Sequence, residues 1–213
     1  MTLKLHNFHR SAYGRIAEIT LREKRLDFER QEINPFAEDI SEDYLRLHPF
    51  KRVPVLEHDD LVLYETRAIT EYLEDRFGGP KLRPDDPVTA AKMRQIIAII
   101  DNYGYWPLVR MVFSQRISRP ASGLVADETI IAEGLAKSAL VLAALEAIIG
   151  LDEYLVGPTY SLADAHVVPM IDYFCWTTEG TDMLANYPKL NSWWQRLKER
   201  PSTLETRPDW PTN

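Results

Sequence analysis

The sequence holds a single cysteine, Cys175, among 213 residues. One thiol excludes an intramolecular disulfide, a CxxC redox pair and a cysteine-rich zinc site, and that usage fits a reducing cytoplasm. The five histidines, His6, His9, His48, His58 and His166, fall in no helical HxxxH or HExxH pattern, so no metal is expected. No apolar run reaches the roughly 18 residues of a membrane span, and the start, MTLKLHNFHRS, has no apolar h-region. Neither an anchor nor an export signal is expected. Positive charge is in deficit, 25 Lys and Arg against 32 Asp and Glu for a net of −7, which argues against nucleic acid or an anionic membrane as a partner. Internal repeats and low-complexity tracts are also lacking. What remains is ordinary globular composition, 45% hydrophobic, long enough for one large or two small domains without staples. Only the proline-rich tail from about Thr206 is expected to be disordered.

The first part of the chain alternates element types. Leu3 to Asn7 reads as a strand, Ala12 to Lys24 as a helix opened by a serine, and Phe28 to Ile33 as a second strand. A short helix follows around Asp43 to Leu47. Val53 to Glu57 and Leu61 to Tyr64 make a hairpin about His58, Asp59 and Asp60. Thr66 to Phe77 closes the domain as a helix ended by Gly78 and Gly79. The order is β-α-β, α, β-β-α, a small α/β domain over 1–79. Prolines and aspartates mark 80–87 as a linker, and 88–213 reads as helix throughout. Leu135, Leu142, Leu145 and Ile149 form one buried stripe. The stretch from Val88 to about Ile117 is apolar on more than one side, with Pro107 expected to bend it.

Two segments carry more specific information. In SLADAHVV, Ser161 and Asp164 stand three apart as a capping box, whose plain reading is helix nucleation without chemistry. HPFKRVPVLEHDDLVLYETRAITEYL, from His48 to Leu73, is less usual. A proline at the start of a strand cannot donate to the ladder. A cis peptide before Pro54 would explain it by turning the Val53 backbone outward toward an extended ligand. The hairpin then runs into Glu65 and Thr66 at a helix start, where free amides and the dipole favour an anion. Ser11 opens the first helix, a position that also favours an anion such as a thiolate; its plainer reading is an N-cap.

The His48–Leu73 segment is similar to the glutathione-binding signature of cytosolic glutathione transferases, Asn-Pro-Phe-Gly-Gln-Val-Pro, strand, turn, strand, Glu-Ser-Arg-Ala-Ile, and most resembles phi-like and related bacterial members. The likeness extends to the first strand and Ser11, to SLADAHVVP, and to YPKLNSWWQRLKERPS. It implies a thioredoxin-like α/β domain followed by an all-α domain. It further implies that Val53, before cis-Pro54, offers its backbone to the cysteinyl part of glutathione, that Glu65 and Thr66 hold the γ-glutamyl end, and that Ser11 faces the thiol as a hydrogen-bond donor. His9 and Tyr13 are rivals for that role. His48, Lys51 and Arg52 depart from the signature, and AEDISEDY is acidic where a cation for the glycyl carboxylate is common. Lys51, Arg52 or Arg10 must then supply it.

A second-substrate wall is expected from DNYGYWPLVRMVF, through Tyr105, Trp106, Arg110 and Phe113, together with His9, in a cleft between domains. The resemblance implies an enzyme that activates glutathione, its co-substrate, for attack on a hydrophobic electrophile or for peroxide reduction. A non-catalytic binding or interaction protein of the same fold is the alternative. A thiol-disulfide enzyme using Cys175 is a weaker one. A cytoplasmic homodimer acting in detoxification is expected, with Phe50 where several classes place an aromatic key.

Overall fold

The computed structural model describes residues 3–210, and the chain divides into two compact units. One runs through Leu82 and takes in Leu204–Pro208. The other covers Arg83–Thr203 and takes in Asp209 and Trp210.

In the first unit, β1 (Leu3–Asn7), α1 (Ala12–Glu23), β2 (Glu29–Glu32), α2 (Glu42–Leu47), β3 (Val55–His58), β4 (Leu61–Tyr64) and α3 (Thr66–Arg76) follow in the expected order. The strands form one sheet in the order β2-β1-β3-β4. β1 is parallel to β2, a pairing that requires a crossover such as α1, and antiparallel to β3; β3 and β4 form a hairpin. Asp59 turns that hairpin at φ 52°, which a short polar side chain tolerates. β3 starts two residues later than expected, because Pro54 has no amide to give to the ladder. Strand alternation sends Leu3, Leu5 and Leu56 to one face, where they meet Ala17 and Leu21 of α1 and Ile69 and Leu73 of α3. On the other face, His6 Nε2 lies 2.5 Å from Glu57 Oε1, and its ring neighbours Tyr44 of α2. A buried ion pair joins the end of α1 to α3: Lys24 Nζ donates to Glu74 Oε2 at 2.9 Å, and that oxygen also accepts from the Leu82 amide at 3.1 Å.

The second unit is helical. α4 (Pro87–Ile99) starts with Asp86 accepting from the Thr89 amide at 2.8 Å and with proline in its first turn. It continues as a π-helix over Ile100–Ser118, whose wider hydrogen bonding encloses Pro107. α5 (Arg119–Ala121), α6 (Glu128–Ile148), α7 (Leu162–Cys175), α8 (Thr178–Leu184), α9 (Pro188–Leu197) and α10 (Pro201–Glu205) follow. α7 is the centre of the unit. It is buried at every position from Leu162 to Phe174, the polar Asp164, His166 and Asp172 among them. On α6 the buried stripe is Ile131, Gly134, Ser138, Val141, Leu142, Leu145 and, at the cap, Ile149, while Leu135 is only half-buried. Glycine is needed at one point of that face: a Cβ at Gly134 would lie 2.7 Å from the Met111 Cβ.

The SLAD box reaches further than a local cap. Fully buried Asp164 accepts from the Ser161 amide at 2.8 Å and its hydroxyl at 2.7 Å, from the Leu155 amide at 3.0 Å and from Trp193 Nε1 at 2.8 Å. Burial pushes this carboxyl up from its ordinary range, against the pull of those bonds. The tail expected to be disordered is placed through Trp210, whose ring packs 5.3 Å from that of Phe113. Its remaining residues, 211–213, lie outside the described residues. Among the described residues no helix is long and apolar enough to cross a membrane.

Candidate functional site

The register of the sheet determines which turns meet. His6 pairs with Val55, and Val55 with Tyr64, so the end of β1, the start of β3 and the end of β4 lie side by side. Three segments therefore emerge at one end of the sheet: the Phe8–Ser11 turn, the Arg52–Pro54 approach and the Glu65–Thr66 helix start. All three were singled out in the sequence, far apart in number.

Ser11 is the N-cap of α1, at φ −86° and ψ 121°, and its Oγ accepts from the Gly14 amide at 3.0 Å. Acceptance in that bond leaves the hydroxyl hydrogen to donate outward, beside the positive end of the α1 dipole. The turn is closed by the Ser11 amide donating to the Phe8 carbonyl at 2.8 Å. His9 is exposed and bound to β2, its Nδ1 donating to Glu32 Oε1 at 2.6 Å and its amide to the same oxygen at 3.1 Å. Tyr13 is half-buried on α1.

The Val53–Pro54 peptide is cis, as expected from the placement of the proline. Lys51 is committed elsewhere in the loop, donating from Nζ to the Ala37 carbonyl at 2.7 Å. The Arg52 side chain is exposed, while its carbonyl accepts from the Tyr44 hydroxyl at 2.6 Å. Burial pushes the Tyr44 phenol above its ordinary range and keeps it a donor.

Glu65 holds the N-cap position of α3 at φ 72° and ψ 114°, with no side-chain cap bond. A non-glycine residue in such backbone stores about 1–3 kcal/mol. Thr66 follows as the buried first residue of the helix. His48, only 2% exposed, stacks 4.8 Å from Tyr64. Burial lowers its pKa from the usual 6.5; the Glu65 charge opposes that fall and the Arg52 charge reinforces it. The structure thus brings Arg52, His48 and Glu65 into one electrostatic neighbourhood.

The expected second-substrate residues divide differently. Tyr105, Trp106, Arg110 and Phe113 all lie on the π-helix of the second unit. Trp106 and Arg110 are exposed and Tyr105 is half-buried. Phe113 is 3% exposed and packs against Tyr173 at 4.6 Å and Trp210, so its ring belongs to the core of that unit.

Two residues at the site escaped the sequence reading. Tyr44, the one buried residue of α2, supports the backbone ahead of Val53. Its signal was a lone aromatic in an acidic helix, which names no partner. Asn7 ends β1 fully buried, and its Oδ1 accepts from the Phe8 amide at 2.7 Å. An asparagine at a core-facing strand position was the visible signal, since a buried amide requires partners.

Comparison with known proteins matches the chain to two family models, "Glutathione S-transferase, N-terminal domain" over residues 5–81 and "Glutathione S-transferase, C-terminal domain" over residues 105–201. It is 32% identical over 212 residues to glutathione S-transferase F13 of Arabidopsis thaliana, covering 98% of this chain and 96% of that protein. The crystal structure of glutathione transferase F7 from Populus trichocarpa aligns with a TM-score of 0.85 at 32% identity, covering 96% of this chain and 97% of that one. Glutathione S-transferase I from maize, solved in complex with an atrazine glutathione conjugate, aligns with a TM-score of 0.85 at 30% identity over 97% of each chain.

Proposed function

Since the chain belongs to the glutathione S-transferase family and is a glutathione transferase, we propose that it binds glutathione at the end of the sheet where Ser11, Val53 and Glu65 emerge, and that Ser11 stabilises the thiolate. In this reading the domain over 1–79 holds the tripeptide, 80–87 links it to the helical domain, and 88–213 supplies contacts to the electrophile. The γ-glutamyl carboxylate sits at the start of α3 on the Thr66 hydroxyl and amide, where free N–H groups and the dipole favour a negative charge. The Glu65 carboxylate faces the ammonium. The Val53 backbone, before Pro54, pairs with the cysteinyl residue. Arg52 receives the glycyl carboxylate, because Lys51 is already bonded to Ala37.

A free thiol with pKa near 8.5 is only a few per cent thiolate at neutral pH. The Ser11 hydrogen bond and the α1 dipole both favour the anion and so lower the thiol pKa. The thiolate sulfur then attacks an electrophilic carbon of a hydrophobic substrate, either displacing a leaving group as its anion or adding to an activated double bond whose carbanion takes a proton from water. Trp106, Arg110 and Tyr105, with His9, are our candidates for contact with it; Phe113 is omitted because its ring is used in packing. Glutathione is a co-substrate in this scheme, and we place the reaction in the cytoplasm; a role in detoxification is supported by the atrazine glutathione conjugate bound to the maize relative. The thiol-disulfide reading loses its nucleophile: burial pushes the Cys175 thiol up to about 12, with Asp172 adding to the rise.

The observation that carries the assignment is Glu65, a charged residue held at φ 72° at a helix start with no cap bond to account for it. Calorimetric titration of parent and Glu65→Ala with glutathione tests it. A lost charge-assisted bond is worth roughly 1.5–3 kcal/mol, so affinity should fall about ten- to hundredfold. A folded Glu65→Ala protein binding as tightly as the parent would overturn the site.

A further inference from the structure

We infer that Asn7 is a positioning residue for the reaction: its buried carboxamide fixes both ends of the turn that presents the Ser11 hydroxyl. The inference rests on the reading of Ser11 as the thiolate donor.

Asn7 follows Leu3 and Leu5 on the face of β1 that packs on α1, and it is fully buried. A carboxamide there is costly unless each group finds a partner, and it does. Oδ1 accepts from the Phe8 amide at 2.7 Å, and Nδ2 donates to Glu18 Oε2 at 3.2 Å. Glu18, itself buried, is held by Arg22 Nη2 at 3.0 Å, with Arg30 Nε 3.6 Å from its second oxygen. The carboxamide therefore cannot turn over. Exchanging its ends would set an NH2 group against the Phe8 N–H and a carbonyl against a carboxylate.

The same side chain governs the first turn of α1. A Cβ built on Gly14 would lie 1.6 Å from Asn7 Oδ1, so glycine is the one residue that fits while Asn7 keeps its place. Gly14 is also the residue whose amide holds Ser11 Oγ. One carboxamide thus bonds to the amide that begins the turn and rests on the residue that anchors the hydroxyl at its end. Between them the Ser11 amide closes the loop on Phe8. Nothing in this chain of contacts meets the peptide ends of glutathione as assigned above. Asn7 should therefore govern the state of the sulfur and leave tripeptide affinity alone.

The test uses the intact protein as parent, Ser11→Ala, Asn7→Leu and the double variant. Leucine keeps the volume over Gly14 and removes the hydrogen bonds. Absorbance of the bound glutathione thiolate is followed against pH, with calorimetric affinity beside it. Asn7→Leu should raise the titration midpoint by about 0.5–1 pH unit, through a weakened bond to the charged form, with affinity measured below the midpoint, where the bound thiol is protonated, within about twofold of parent. Added to Ser11→Ala, it should raise the midpoint no further. A folded Asn7→Leu protein titrating like the parent, or a shift that persists in the Ser11→Ala background, overturns the inference. Failure of the underlying reading appears separately, as Ser11→Ala titrating like the parent, and would remove the inference with it. Should Asn7→Leu not fold, Gly14→Ala displaces the carboxamide from the other side and is expected to give the same rise; if it leaves the midpoint unmoved or neither variant folds, the role of Asn7 is purely structural.

Discussion

Glu65 joins a charged side chain to a backbone that glycine would adopt more easily. It sits at φ 72° with no side-chain bond closing its own helix cap. Replacing it with glycine separates the two properties. Glu65→Gly should relieve the torsion and raise stability by about 1 kcal/mol, less the entropy glycine gains in the unfolded chain. Glutathione affinity should fall at the same time, as in Glu65→Ala. Urea unfolding beside calorimetry reads both; a Glu65→Gly protein less stable than the parent would show that the cap is unstrained. Such a torsion leaves no mark in the letters YETRAI, which announce only a helix start. Ser11 was legible because a serine ahead of an amphipathic helix is a local signal. The engagement of Lys51 with Ala37 was not, because it depends on how the chain folds back across α2 over 14 residues of sequence.

The ends of β1 and β4 lie where strand alternation put them, and α3 starts at Thr66 as expected. α6 was read less well, because large apolar residues were counted while its buried face also includes Gly134 and Ser138, which a search for leucines passes over. Asp164 shows a related limit. Its partnership with Ser161 was visible three residues apart, but the Leu155 amide and the Trp193 indole reach it from 9 and 29 residues away. α7 is therefore fastened at its first turn to the preceding loop and to α9. Asp164→Ala would leave the Ser161 and Leu155 amides and the indole, whose bonds to it are all buried, without their acceptor. We expect a loss of about 3–5 kcal/mol, measured by urea unfolding followed through tryptophan fluorescence. A loss below about 1 kcal/mol would mean that the box only nucleates its helix.

At the scale of the whole molecule, the two-part organisation was legible in the change of composition around PKLRPDDP. Partnership was less so. Phe50 is 66% exposed, with its ring edge-on to His48 and Tyr64, so packing within its own unit leaves most of the ring uncovered. We expect light scattering at micromolar concentration to give twice the chain mass, and Phe50→Ala to weaken the dimer at least about tenfold, as loss of a buried aromatic anchor does. A parent protein that scatters as a monomer would remove the expectation. Locality concealed one further feature altogether. The chain leaves the first unit after Leu82 and comes back to it at Leu204–Pro208, where Arg22 Nη1 donates to Glu205 Oε2 at 2.5 Å across 183 residues of sequence. During synthesis the ribosome must therefore translate Arg83–Thr203 before the first unit can receive its last piece. A gene fragment stopping near codon 82 encodes that unit incomplete, and a faithful excised version needs Leu204–Pro208 spliced behind Leu82.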